Sequence, residues 1–335
     1  MRQRLACLIL IAVFSVTMSA GIELPGVYNP AQLVVAPDKT VLVFDRAAGL
    51  LVYKPGASQP LKIGAFGQGP GEYGKSAFIC TREGKIFLST RGKVVVYDYQ
   101  GNVARELRHN LDLFRHRLVP LPESGWLADM AETDYSPHGG TIIRACLLNS
   151  DISIGKELYR RKVPLPMREV RLFPFAAGSE MTEKNIVTAA AEDNGSLRIY
   201  DLQGKSAAAI VIPQSQWREP VKDEIAARME EYRKRAGDPA FWKELKRRIT
   251  IPGHIPNLLD FRASEDGILV RTPDTRDNKR VFLFFDFSGK PIKDFLLPDA
   301  GPLYDFSNNA YHYLETPDEN NTLLHTLPLL RRQSP

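Results

Sequence analysis

A short unit recurs along this chain and restricts its fold more than any other feature. An apolar strand ends in an aromatic residue and is followed by Asp, two further residues and Gly. Copies stand at Val94–Gly101 (VVVYDYQG), Leu197–Gly204 (LRIYDLQG) and Phe282–Gly289 (FLFFDFSG), with a looser one at Leu51–Gly56 (LVYKPG). Asp bonds its own backbone in tight turns and Gly accepts positive φ, so each copy reads as a β-hairpin. A second landmark, a turn leading into a short apolar strand, precedes each unit's end. It occurs six times, at Asp38–Phe44, Glu83–Leu88, Ser124–Leu127, Glu183–Val187, Asp266–Val270 and Asn308–Tyr313.

The spacing sets the repeat length. Tyr53 and Tyr97 are 44 residues apart, and Tyr97 and Tyr200 are 103 apart, room for two units with the middle one marked by Leu147–Ser150. Tyr200 and Phe285 are 85 apart, one unit plus an insertion. Repeats of roughly 40–50 residues with several short strands each match β-propeller blades, which bury both faces only by stacking into a closed ring. The expected fold is all-β: a six-bladed β-propeller over residues 21–335, with a helical hairpin inserted between blades 4 and 5. The last unit, ending at Asn321–Leu327, lacks an outermost strand, and Ile22–Val27 is positioned to supply it. Pro25 suits an edge strand.

The insertion covers about residues 216–250. Val221, Ile225, Met229 and Tyr232 have helical spacing, with acidic residues early and Arg233-Lys234-Arg235 late. Gly237 ends this helix, and Asp238-Pro239 starts another through Phe241, Trp242, Leu245 and Ile249.

The first residues read as a processing segment. Arg2 and Arg4 precede an apolar stretch from Leu5 to Met18 and the small residues Ser19-Ala20-Gly21. That stretch is short for a membrane span and suits a signal peptide over residues 1–20, cleaved near Ala20 or Gly21, with an uncleaved anchor as the other reading. A secreted or periplasmic bacterial protein without a transmembrane segment after cleavage is expected. Cleavage lowers the formal charge from +5 by the two arginines. The basic residues form no nucleic-acid module, so no nucleic-acid partner is expected. Cys80 and Cys146 lie in apolar strand contexts and read as buried and unpaired. A monomer is expected.

Val41–Tyr53 (VLVFDRAAGLLVY) resembles an NHL-type propeller repeat, and Phe66–Tyr73 (FGQGPGEY) resembles the loop between early blades of secreted bacterial six-bladed propellers, the NHL/TolB-like group. The resemblance implies a six-bladed, exported propeller. Units three and four depart most from the pattern. The glycine-rich loop has no Lys-Ser/Thr of a P-loop, and Pro70 removes an amide donor, so a structural turn is expected there.

In a four-stranded blade the second-to-third-strand turns and the between-blade connections leave one face of the ring, around the channel mouth. That places Asp45, Asp129–Tyr135, Glu192, Asp193, Asp274, the Gly67–Tyr73 loop and the helical insertion together. The residues expected to contact a ligand there are Arg46, Tyr73, Arg91, Asp129 and Arg271, and the recurring arginines suggest an anionic ligand or acidic peptide. Two functions are open. The first is an exported, non-catalytic binding or interaction propeller without a cofactor, holding a protein or small anion at the channel mouth, with an envelope protein as a partner of the helical hairpin. The second is a metal-dependent hydrolase or lyase, lactonase-like or peptide-lyase-like, with Ca or Zn in the channel. Carboxylates such as Asp45, Asp129 or Asp193, or scattered histidines, would then hold the ion. The absence of a GxSxG elbow and of close His pairs leans against catalysis.

Overall fold

The computed structural model describes residues 21–136, 139–163, 170–171, 178–190, 195–212, 219–256, 258–301, 303–318 and 321–329. The expected signal peptide, His138, Glu192 and Asp193 lie outside them.

Six four-stranded antiparallel sheets follow one another along the chain, each running from the channel outward. The six turn-and-strand landmarks of the sequence are the second strands: Val41–Asp45, Lys85–Thr90, Trp126–Thr133, Asn185–Ala190, Gly267–Arg276 and Ala310–Asp318. The first strands, Pro30–Val35, Phe78–Arg82, Leu113–Pro120, Ser179–Met181, Asp260–Ser264 and Tyr304–Ser307, line the channel. The molecule is a six-bladed β-propeller. The sixth sheet takes its outermost strand from the start of the chain, where Ile22 pairs with Leu324 and Glu23 with Leu323. The Leu24 amide then donates to the Thr322 carbonyl at 2.8 Å. This splice joins the two ends of the chain within one blade.

The apolar runs are continuous because the middle strands are buried on both faces. Successive side chains of a strand point to opposite faces. Leu42 and Phe44 therefore enter the core shared with blade 2, while Val41 and Val43 enter the core shared with blade 6. Val95 and Tyr97 likewise face blade 1, and Val94 and Val96 face blade 3. Each of the six blade interfaces has its own apolar cluster built in this way.

The recurring aromatic-Asp-x-x-Gly tag joins blades as well as turning the chain. Its Asp caps the turn: Asp98, Asp201 and Asp286 each accept two or more backbone amides from the following four residues. Its Gly has positive φ and touches the preceding blade's outer strand. A Cβ on Gly101 would meet Ile63, one on Gly204 would meet Leu158 at 2.6 Å, and one on Gly289 would meet the Ala209 carbonyl at 2.8 Å. The tyrosines reach the same way. Tyr97 donates to the Gly71 carbonyl and Tyr200 to the Leu158 carbonyl, and Tyr53 of the looser copy donates to that of Pro25. In blade 3, where the tag is missing, Asp151 caps the turn and Ile152 takes the positive φ.

The connection between Val211 and Asp260 contains two helices, α1 (Lys222–Ala236) and α2 (Pro239–Arg248). Gly237, at φ 67°, separates them, and the Asp238 carboxylate caps α2 by accepting from the Ala240 amide at 2.9 Å. Immediately after α2, Ile249 and Thr250 pair in parallel with Val170 and Arg171 of the preceding connection, tying the two connections together. No helix among the described residues is long and apolar enough to cross a membrane. Cys80 and Cys146 are free, and burial pushes their thiols up to about 12 and about 11.

Candidate functional site

The channel wall is committed to holding the ring together. Gln32 of blade 1 exchanges two hydrogen bonds with the Ile79 backbone of blade 2, at 2.7 and 2.8 Å. Arg117 of blade 3 lies over the Phe78 ring of blade 2 at 4.6 Å and donates to Glu180 of blade 4 at 3.0 Å. Glu180 also pairs with Arg262 of blade 5 at 3.5 Å, and Arg262 covers the Tyr304 ring of blade 6 at 4.8 Å. Asp305 of blade 6 closes the circle by accepting from the Val35 amide of blade 1. Hydrogen bonds, ion pairs or cation–ring contacts thus cross all six interfaces.

Two of the expected ligand-contacting side chains are absorbed by this framework. Asp129 sits within its strand, 1% exposed, accepting from the Ser179 amide and hydroxyl at 3.0 and 2.6 Å with Arg117 at 3.4 Å. Burial pushes its carboxyl up, and Arg117 and the Ser179 donors pull it back. Tyr73 is fully buried; its hydroxyl donates to the Ile63 carbonyl and accepts from the Leu50 amide. It anchors the glycine-rich loop, whose glycine amides have partners: Gly69 donates to Glu72 and Gly67 to the Tyr73 carbonyl within the loop, and Gly71 to Glu106 of blade 2. That loop is a structural turn and offers no phosphate cradle.

Arg271 lies inside its strand, not at the strand end, because the blade 5 hairpin is longer, and it pairs with Asp299. Arg280 shares that carboxylate. Arg46 is exposed on the blade 1 turn. Asp45 is fully buried beneath it, accepting from the amides of Tyr28, Asn29, Ala47 and Ala48, which uses both oxygens. Among the described residues no three His, Cys, Asp or Glu side chains stand together as a metal site.

Arg91 is different. With Gln68, Lys75 and Ser76 from the blade 1–2 connection, Thr90 from the strand that ends just before it and His116 from blade 3, it lines a cavity of about 400 Å³ on the mouth face. Among the described residues Lys75, Arg91 and His116 are its ionisable wall residues, and no carboxylate lines it. The blade 3 inner strand is irregular here. Its pairing jumps from Leu113–Met130 to Leu118–Ala128, and Arg115 and His116 have φ of 54° and 59°. Left-handed backbone is uphill for such side chains and concentrates at functional sites. Burial, then the charge of Arg91, holds the His116 imidazole below its usual value. His109 is held low by burial and by His116.

Sequence reasoning reached Arg91 and the neighbouring loop but missed Lys75 and His116. Lys75 follows the glycine-rich loop directly, a signal that could have been used. His116 reaches the cavity through a bulge that contains no glycine to mark it.

No protein-family model matches the sequence, and no curated protein matches it either. Among solved structures the chain is similar to BamB from Moraxella catarrhalis, at 8% identity over 92% of this chain and 86% of that one, with a TM-score of 0.40. It is also similar to the WD40 β-propeller domain of Doa1, at 11% identity over 92% and 97% of the two chains, with a TM-score of 0.43. A third is a putative oxidoreductase (glucose dehydrogenase) from Thermus thermophilus, at 12% identity over 91% and 98%, with a TM-score of 0.44. All three likenesses are too distant to carry functional argument, and the fold rests on the strand pairing.

Proposed function

We propose that this chain is an exported, non-catalytic binding propeller of the NHL/TolB-like kind, holding an anionic ligand or acidic peptide segment in the mouth cavity. The observation that carries this reading is the cavity wall, where Lys75, Arg91 and His116 face one space with no carboxylate among the described lining residues. Concave sites with a few convergent polar groups are where propeller-like scaffolds bind. Two other arginines argue by contrast: Arg271 and Arg280 are spent on Asp299. The two helices, read as one hairpin between blades 4 and 5, give a second surface toward the cell envelope.

The test is calorimetric titration of the protein beginning at Gly21 with citrate, inorganic phosphate and a tri-glutamate peptide, against neutral counterparts. A charged hydrogen bond contributes about 1.5–3 kcal/mol. Arg91→Ala should therefore weaken anion binding at least tenfold, with Lys75→Ala weakening it less. Equal affinity for the neutral compounds, or no effect of Arg91→Ala, would remove the reading. Export is tested separately, by fractionating cells that produce the full chain.

A further inference from the structure

α2 differs from its neighbour α1 in how it spends its apolar residues. The small core around Ile255 takes Ile225, Met229 and Tyr232 from α1, and Ile249 from just beyond α2. It takes nothing from α2, none of whose residues is buried. Phe241 is 56% exposed, and the same connection exposes Val221 and Ile251. Phe241, Trp242 and Leu245 occupy one side of a ten-residue helix, since three- and four-residue steps bring side chains to one face.

The charges beside that apolar strip are mostly positive. Lys246, Arg247 and Arg248 form the last turn, and Lys243 precedes them. Glu244 is the only acid in the helix and is taken by Arg247 and Arg248. Among the described residues Lys243 and Lys246 have no carboxylate partner, and both are exposed. An exposed Phe and a half-buried Trp beside unspent lysines are the composition of helices that lie in a membrane interface, where rings enter the headgroup layer and ammonium groups meet lipid phosphates. An acidic protein groove could match the charge. Here one exposed ring, Phe241, stands with two lysines that have no carboxylate partner on a helix that contributes to no core, the arrangement of a helix lying in a lipid interface.

We infer that α2 docks the propeller onto an anionic lipid bilayer, with Phe241 and Trp242 entering the interface and Lys243 and Lys246 pairing with headgroup phosphates. This rests on the reading of the two helices as an envelope-facing surface, and it is independent of the mouth cavity.

The experiment is co-sedimentation of the protein beginning at Gly21 with phosphatidylglycerol/phosphatidylcholine vesicles and with phosphatidylcholine vesicles. Binding should require phosphatidylglycerol and fall away at high salt, because screening removes the headgroup attraction. Each of Lys243→Ala and Lys246→Ala should lower partitioning roughly fivefold. Phe241→Ser should abolish it with an unchanged thermal melt, since that side chain belongs to no core. The melt separates lost docking from lost folding, and Lys246→Ala serves as a second, milder variant. Lack of binding to anionic vesicles, or binding indifferent to these substitutions, overturns the inference. If vesicles fail but Phe241→Ser loses a co-purifying envelope protein, the contact surface stands and its lipid partner is wrong. If neither changes, both fall.

Discussion

At the scale of single residues, much of the molecule's order comes from side chains that satisfy backbone groups of a neighbouring blade. Tyr97 and Tyr200 each end a strand in one blade and bond a carbonyl outside it. The glycine four residues further on lets the preceding blade's outer strand approach. His312 works in the same manner within blade 6. It is buried, with Nδ1 3.0 Å from the Thr326 hydroxyl and Nε2 3.3 Å from the Ser307 carbonyl. A neutral ring that donates from Nε2 and accepts at Nδ1 satisfies both contacts. Burial holds its pKa below the ordinary 6.5. The unfolded chain therefore binds the proton more readily, and stability rises with pH across that window. It is fully present above about pH 6.5 and is lost as pH falls toward the folded value. His109 and His116 have the same sign. Each group adds a slope of at most about 1.4 kcal/mol per pH unit. Urea unfolding at steps from pH 7.5 to 5 should show falling stability, with a shallower fall in His312→Gln, and equal slopes would show that this ring is not responsible.

At the scale of elements, the N-terminal splice is small in length and large in effect. The paired strand has two residues, yet Leu24 and Val27 beyond it are almost fully buried in the core between blades 6 and 1. Burying an aliphatic side chain of this size contributes about 1.5–3 kcal/mol. A chain starting at Tyr28 should therefore lose roughly 3–6 kcal/mol, much of an ordinary domain's margin. Urea unfolding of the two chains checks this; equal midpoints would mean the ring closes without the splice. The splice was legible in the sequence because the last repeat visibly lacked a strand. The second strands were legible too, since a turn signal leads into each one. What could not be read was which polar residues are spent. Asp129 and Tyr73 look available in a loop reading, but their partners, Ser179 and Ile63, are set by blade stacking and strand register. The His116 bulge was hidden for a related reason: its backbone is set by tertiary contacts, and no Gly or Asn in Phe114–Arg117 announces it.

At the scale of the whole molecule, the channel belt decides both cohesion and where binding can happen. Arg262 is its hinge point, touching Glu180 of blade 4, Asp260 of its own strand and the Tyr304 ring of blade 6. Removing this guanidinium leaves Asp260 without its cation and Glu180 with Arg117 alone. Breaking a buried ion pair on one side costs about 3–5 kcal/mol, while replacing both partners by well-packed apolar side chains is often close to neutral. Arg262 is partly open to the channel, so Arg262→Met should cost about 3 kcal/mol, toward the lower end of that range. The double variant Glu180→Met/Arg262→Met should recover part of the loss. Urea unfolding of the single and double variants measures this directly. A double variant no more stable than Arg262→Met would mean that Arg262 acts through its packing on Tyr304, with the charge secondary. Recovery would mean that the channel's charges are balanced internally, so a soluble anion entering the channel finds its arginines already engaged. The cations left for a ligand are then those at the mouth, where Lys75 and Arg91 face a cavity with no carboxylate among its described wall residues.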